Sequence, residues 1–203
     1  DELFLLQLKL LQKKWHWRQL TESENNKKIE IKTEILKDAI ESLSFELTNA
    51  QKKVLKEILI DLKKPFPMAR LVQGDVGSGK TIVAALTALN VVKNGYQIAL
   101  MAPTEILAKQ HYQTLIKVLN KYCLNIQFIA GSTTKKQKDE IIRQMKTGTV
   151  DIMIGTHALI QEGIGFKNLG LAIIDEQHRF GVKQRDTLKG YGSPHLLSMT
   201  ATP

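Results

Sequence analysis

With 203 residues, 43% of them hydrophobic, the chain can build one cored domain and an appendage, but it has no run of about 18 apolar residues to span a membrane. Its single cysteine, Cys123, excludes an intrachain disulfide and fits a reducing cytoplasm. The net charge of +9 lies wholly in residues 45–203, since 1–44 carry eight basic and eight acidic side chains; such a basic domain either suits a polyanionic partner or is simply kept soluble.

In chain order, Leu3, Leu6 and Leu10, with Lys9, Lys13 and Lys14 between and after them, predict an amphipathic helix over residues 3–20. Asp1 and Glu2 lead it and no small-residue cleavage site follows, so it does not read as a secretory signal. Its apolar face, with Phe4, Leu5, Leu8 and Leu11, is too wide for one helix to bury alone, so it is expected to dock on the core or on another domain. Trp15 and Trp17 either anchor that docking, as large aromatics usually do, or stack on bases. Residues 21–32 are polar and of mixed charge and read as a linker.

A helix over 50–62 is ended by Pro65 and Pro67. Beyond it, apolar strands at 70–73, 98–102, 126–130, 152–155, 171–175 and 196–199 alternate with helices at 80–93, 105–122 and 135–146. Gly95 and Gly148 fall where helix ends want a left-handed residue. This alternation predicts an α/β fold with a mostly parallel sheet covered on both faces, whose chemistry gathers at the carboxyl ends of the strands. Two regions are expected: an N-terminal helix and linker over 1–44, and an α/β domain over 45–203.

Gly74-Asp75-Val76-Gly77-Ser78-Gly79-Lys80-Thr81 matches the phosphate-binding pattern GxxxxGK[ST], after a strand and before a helix as that pattern demands. A loop that wraps a triphosphate turns its amide N–H groups inward, which the glycines permit, and the helix that follows points its N-terminus at the anion. Lys80 brings charge to the β- and γ-phosphates and Thr81 a hydroxyl to Mg²⁺. The second signal is Leu171-Ala172-Ile173-Ile174-Asp175-Glu176, an apolar strand ending in two acids. Strand ends often carry solvated acids, but beside a complete phosphate loop Asp175 suits Mg²⁺ and Glu176 the attacking water. Together they predict an NTP hydrolase.

The kind of hydrolase rests on resemblance. Asp175-Glu176-Gln177-His178 resembles the DExH form of helicase motif II, and Thr200-Ala201-Thr202 resembles motif III. Residues 102–108 (APTEILA) resemble motif Ia. Leu47-Thr48-Asn49-Ala50-Gln51 resembles the Q-motif, which implies adenine recognition by Gln51 with Phe45 nearby. The stretches 68–81, 101–111, 155–161, 173–185 and 199–203 are similar to the RecG family of superfamily 2 DNA helicases, strongly over 45–203 and weakly over 1–44. Transcription-repair coupling translocases share much of this, but their motif II usually has Glu where Gln177 stands.

The resemblance implies a RecA-like first motor lobe that uses ATP and Mg²⁺ to remodel branched DNA, at stalled forks and Holliday junctions, in the bacterial cytoplasm at the nucleoid. It implies nucleic-acid or coupling roles for Thr104, Glu105, Ser132, Thr133, Thr156, His157, Gln177, His178, Arg179, Thr200 and Thr202. Such enzymes also need a second motor lobe and a wedge domain, which this chain does not contain, so alone it is expected to bind ATP with little turnover. Blander readings stand beside these. Thr104 can serve as a helix N-cap, Lys135, Lys136 and Lys138 as a solvated helix face, and His111, among Leu107, Leu115 and Leu119, as packing. No pair of histidines has metal-ligand spacing, which argues against zinc. The open alternatives are a coupling-translocase lobe, a P-loop ATPase with a non-nucleic substrate, and a non-catalytic scaffold.

Overall fold

In the computed structural model, residues 27–156, 159, 164–176 and 193–201 are described, with 4, 5, 7, 8 and 12 beyond them. The helix expected over 3–20, with Trp15 and Trp17, lies largely outside these residues. The described elements are α1 (Thr33–Glu41), α2 (Asn49–Leu62), β1 (Ala69–Gln73), α3 (Lys80–Val92), β2 (Gln97–Met101), α4 (Glu105–Leu119), β3 (Ile126–Ile129), α5 (Lys135–Thr147), β4 (Ile152–Gly155), β5 (Leu169–Asp175) and β6 (His195–Thr200). A 3-10 turn, Asn120–Tyr122, ends the α4 region.

Local chemistry explains the helix boundaries. The Thr48 hydroxyl accepts the Gln51 N–H while the Gln51 carboxamide accepts the Thr48 N–H, a capping box that starts α2. Thr134 and Gln137 do the same for α5, which Gly148 closes in the left-handed region at φ 82°. Thr104 caps α4 through Leu107 N–H.

All strands of the six-stranded sheet are parallel, in the order β1-β6-β5-β2-β4-β3. Successive side chains of a strand face opposite sides. Ile98 and Leu100 of β2 therefore join the cluster under α1–α4, and Ala99 and Met101 join Met145, Met153 and Ile174 on the opposite face. Burial on both faces is what makes the central strands β2, β4 and β5 mostly apolar, whereas the edge strands β1 and β3 are partly exposed and carry polar residues. α3 is the most enclosed helix: every residue from 83 to 92 is buried, including Asn90.

The linker reading of 21–32 does not hold for its described part. Residues 27–32 form an extended strap packed against the core, with Ile29 fully buried and its N–H donating to the Leu62 carbonyl. Asn90 of α3 and Asn94 in the turn just past its end take the strap's polar backbone: Asn90 accepts from Lys32 N–H and donates to the Glu30 carbonyl, and Asn94 accepts from Glu30 N–H. The strap then enters α1, a helix absent from the sequence expectation, whose Leu36 and Ala39 lie in the same core. A buried histidine fixes the strap's beginning. His195 Nδ1 accepts from Met68 N–H and its Nε2 donates to the Lys27 carbonyl, each at 2.9 Å. Burial pushes the His195 pKa below the usual imidazole value, and the nearby Lys27 charge lowers it further against the opposing pull of the Lys27 carbonyl.

Candidate functional site

The strand order brings the two sequence signals together. β6 lies between β1 and β5, with Gln73 level with Thr200 and Asp175 level with Met199. The phosphate loop leaving β1 is tied to β6 by Gly74 N–H donating to the Thr200 carbonyl at 3.2 Å. The loop, α4 and the end of β5 enclose a cleft of roughly 570 Å³, lined among others by Gly77, Lys80, Thr81, His111, Asp175 and Glu176.

Within the loop, Gly77 and Gly79 have φ of 80° and 82°, a conformation that favours residues without Cβ. At Gly79 there is a second constraint, because a Cβ would lie 2.3 Å from Gln51 Nε2. That amide donates to the Ser78 carbonyl at 2.9 Å. Gln51 thus clamps the start of α2 onto the loop, and Phe45 stands exposed in the segment leading to it. The Lys80 ammonium donates to the carbonyls of Gly74 and Asp75 at 2.6 and 2.8 Å, which holds its charge over the loop. Val76 is 89% exposed at the loop's tip.

Asp175 is only 8% exposed. One of its carboxylate oxygens accepts Glu176 N–H at 3.1 Å, and the other meets His111 Nε2 at 2.6 Å. His111 was expected as packing. It does lie on the buried stripe of α4, but its ring is joined to the acid rather than to the apolar core alone. Glu176 has φ 55°, a left-handed backbone that costs a non-glycine residue energy and that tends to mark functional turns.

The outer half of the same edge gathers the remaining candidates. Thr104 follows β2, Ser132 and Thr133 follow β3, and Thr156 follows β4. Glu105, expected near nucleic acid, has its carboxylate engaged: it accepts from Gly131 N–H, and from the Ser132 hydroxyl at 3.5 Å. Thr133 accepts Ala130 N–H, closing a tight loop. His157, Gln177, His178, Arg179 and Thr202 lie outside the described residues. Sequence reasoning missed the contact of His111 with Asp175, and the available signal was a histidine on the buried stripe of the helix that packs beside the acid-bearing strand.

Residues 48–203 match the family model described as DEAD/DEAH box helicase. The whole chain is 54% identical to ATP-dependent DNA helicase RecG of Aquifex aeolicus and 51% identical to that of Synechocystis, spanning about a quarter of either relative (26% and 24%). A solved structure of RecG bound to a three-way DNA junction is 43% identical and superposes with a TM-score of 0.80, over 92% of this chain and 25% of that one. The UvsW helicase of bacteriophage T4, at 18% identity and a TM-score of 0.62 over 87% of this chain and 62% of that one, shares the fold. The chain belongs to the DEAD/DEAH box helicases, with the RecA-like fold of that family, and is similar along its whole length to RecG proteins.

Proposed function

We propose that this chain is the first motor lobe of an ATP-dependent DNA helicase that remodels branched DNA such as stalled forks and junctions, at the nucleoid in the bacterial cytoplasm. The observation that carries the reading is the convergence of Lys80, Thr81, Asp175 and Glu176 on one cleft beside a left-handed glycine loop. Gly74 to Thr81 bind the phosphates through backbone N–H groups and Lys80. Gln51 reads the adenine from the loop's flank, next to the Ser78 carbonyl it already holds. A buried carboxylate and a hydroxyl lining one cleft suit a hard cation, so Thr81 and Asp175 are the residues that would hold Mg²⁺, which supplies neutralisation of phosphate charge. Glu176 orients and polarises the attacking water.

The outer half fits a phosphate backbone. Thr104, Ser132, Thr133 and Thr156 bring hydroxyls to this edge, the Ser132 hydroxyl shared with Glu105 and the Thr133 N–H held by the Ala130 carbonyl, and groups of this kind position a duplex without reading its sequence. Thr200, whose carbonyl holds Gly74 N–H, relates the end of β6 to the phosphate loop. The lobe proper spans 45–203, to which the packed strap and α1 attach the chain that precedes them. Among the described residues no helix is long and apolar enough to cross a membrane.

The test is phosphate release by the full-length protein with and without fork DNA. Stimulation by the fork, independent of its sequence, is expected. Equal turnover without DNA sinks the DNA-motor reading in favour of an ATPase with another substrate.

A further inference from the structure

α4 buries Ala108, Leu115 and Leu119, and His111 falls on the same stripe, 7% exposed. An imidazole withdrawn from water needs hydrogen-bond partners. The partner here is a carboxylate 64 residues away in sequence: His111 Nε2 lies 2.6 Å from Asp175 Oδ2. An ionised carboxylate only accepts, so the imidazole Nε2–H donates. Oδ1 takes Glu176 N–H. Two donors from two different elements therefore fix the plane of this side chain, one from the strand's own continuation and one from α4. Residues that hydrogen-bond a metal-binding group orient it, and losing one typically lowers metal affinity or activity about 10- to 100-fold.

We propose that His111 is a positioning residue for the metal site: by holding Oδ2 of Asp175 it sets the carboxylate's orientation towards the cleft it shares with Lys80 and Thr81. The assignment rests on the nucleotide-site reading above. It also gives α4 a role beyond packing. The helix begins at Glu105, beside the outer loops, and six residues along a helix is about 9 Å. A displacement of its first turn by a bound backbone reaches Asp175 through one rigid helix and one hydrogen bond.

The experiment uses the full-length protein and a fluorescent ATP analogue, titrated with Mg²⁺, in wild type, His111→Phe, His111→Gln and Lys80→Ala. His111→Phe removes the donor and keeps an aromatic ring; it is expected to raise the Mg²⁺ concentration for half-maximal binding about 10- to 100-fold. Binding of the analogue in EDTA should stay at the wild-type level, a result that also certifies the fold. His111→Gln retains an N–H donor and should recover most of the Mg²⁺ response. If His111→Phe does not fold, His111→Asn, whose shorter amide falls short of Asp175, takes its place. An unchanged Mg²⁺ requirement in the donor-less variant, or an equal shift in His111→Gln, overturns the assignment. Lys80→Ala separates the two readings. If it leaves analogue binding intact, the nucleotide site itself is wrong; if it weakens binding while the histidine variants respond to Mg²⁺ as wild type does, only the role of His111 falls.

Discussion

The inner and outer halves of the sheet's carboxyl edge are built by different means. On the inner half, at β1, β6 and β5, the site is tied together by contacts between residues distant in sequence, Gln51 with Ser78, Gly74 with Thr200 and His111 with Asp175, while Lys80 is held locally by the Gly74 and Asp75 carbonyls. On the outer half, at β2, β4 and β3, most contacts are short-range, such as Thr104 with Leu107 and Thr133 with Ala130, and lie in exposed or half-buried loops. Glu105, which accepts from both Gly131 N–H and the Ser132 hydroxyl, is a long-range exception. Bond-breaking chemistry demands groups held within a fraction of an ångström, whereas a sequence-independent track needs only donors at a suitable spacing. The difference predicts sharp, all-or-none responses to substitution inside and graded ones outside.

The largest effect is expected at Glu176. In the full-length protein Glu176→Gln keeps the shape and removes the base, so steady-state turnover should fall about 10²- to 10⁴-fold with ATP affinity largely retained. Turnover within a few-fold of wild type would remove Glu176 from the water-activating role. Next comes Lys80→Ala. It deletes a charge-assisted contact worth about 1.5–3 kcal/mol, so the Kd for Mg·ATP by calorimetry should rise roughly ten- to a hundredfold. An unchanged Kd would make the inner half as tolerant as the outer and erase the contrast.

The fold was legible because its central strands are mostly apolar and the elements are punctuated by glycine, proline and caps; the six strands lie within two residues of their expected bounds. What stayed hidden depends on partners far along the chain. The strap reads as polar in sequence, yet Asn90 and Asn94, some sixty residues later, satisfy its backbone so that Ile29 can be buried. α1 escaped notice because it is short: nine residues bury Leu36 and Ala39, with Ile35 and Ile40 half-buried beside them. In the site, the phosphate loop is a local pattern and could be read directly. The His111–Asp175 bond joins a helix to a strand in a sheet order that no local pattern encodes.

A smaller effect tests the outer half. Glu105 faces both ways: a carboxylate beside a phosphate track repels it, but this one holds Gly131 N–H. Glu105→Gln keeps an acceptor and drops the charge, so fork affinity at low salt should equal or modestly exceed wild type. Glu105→Ala frees the 131–133 loop and should lower affinity a few-fold. Fluorescence titration of a labelled fork at several salt concentrations separates the variants, and binding of all three should weaken steeply with salt because released counterions dominate. Equal losses for Gln and Ala would mean that the charge itself, rather than the loop it holds, engages the ligand.

The smallest effect concerns the strap rather than either half of the edge, and it is a matter of pH. His195 is neutral in the fold, accepting from Met68 N–H and donating to the Lys27 carbonyl, and its folded pKa lies below its unfolded value of about 6.5. Above that unfolded value both states are neutral and the contribution of the imidazole to stability is complete. As pH falls below it, the unfolded chain takes up a proton that the folded one refuses, so stability declines until the folded pKa is passed. One group limits the slope to about 1.4 kcal/mol per pH unit. The carboxylates of Asp38, Asp61 and Glu140 have lowered folded values, the first and last through their hydrogen bonds and Asp61 because Lys64 and Arg70 outweigh its burial, so their contributions are lost only in more acid solution. Between pH 5 and 7 the histidine therefore stands apart from them. Denaturant unfolding of wild type should show stability falling through that window, while His195→Asn, which keeps an acceptor for Met68 N–H but cannot be charged, should start lower at pH 7 and change less. Parallel curves for the two proteins would show that the imidazole is not the group being titrated and that the strap is held without it.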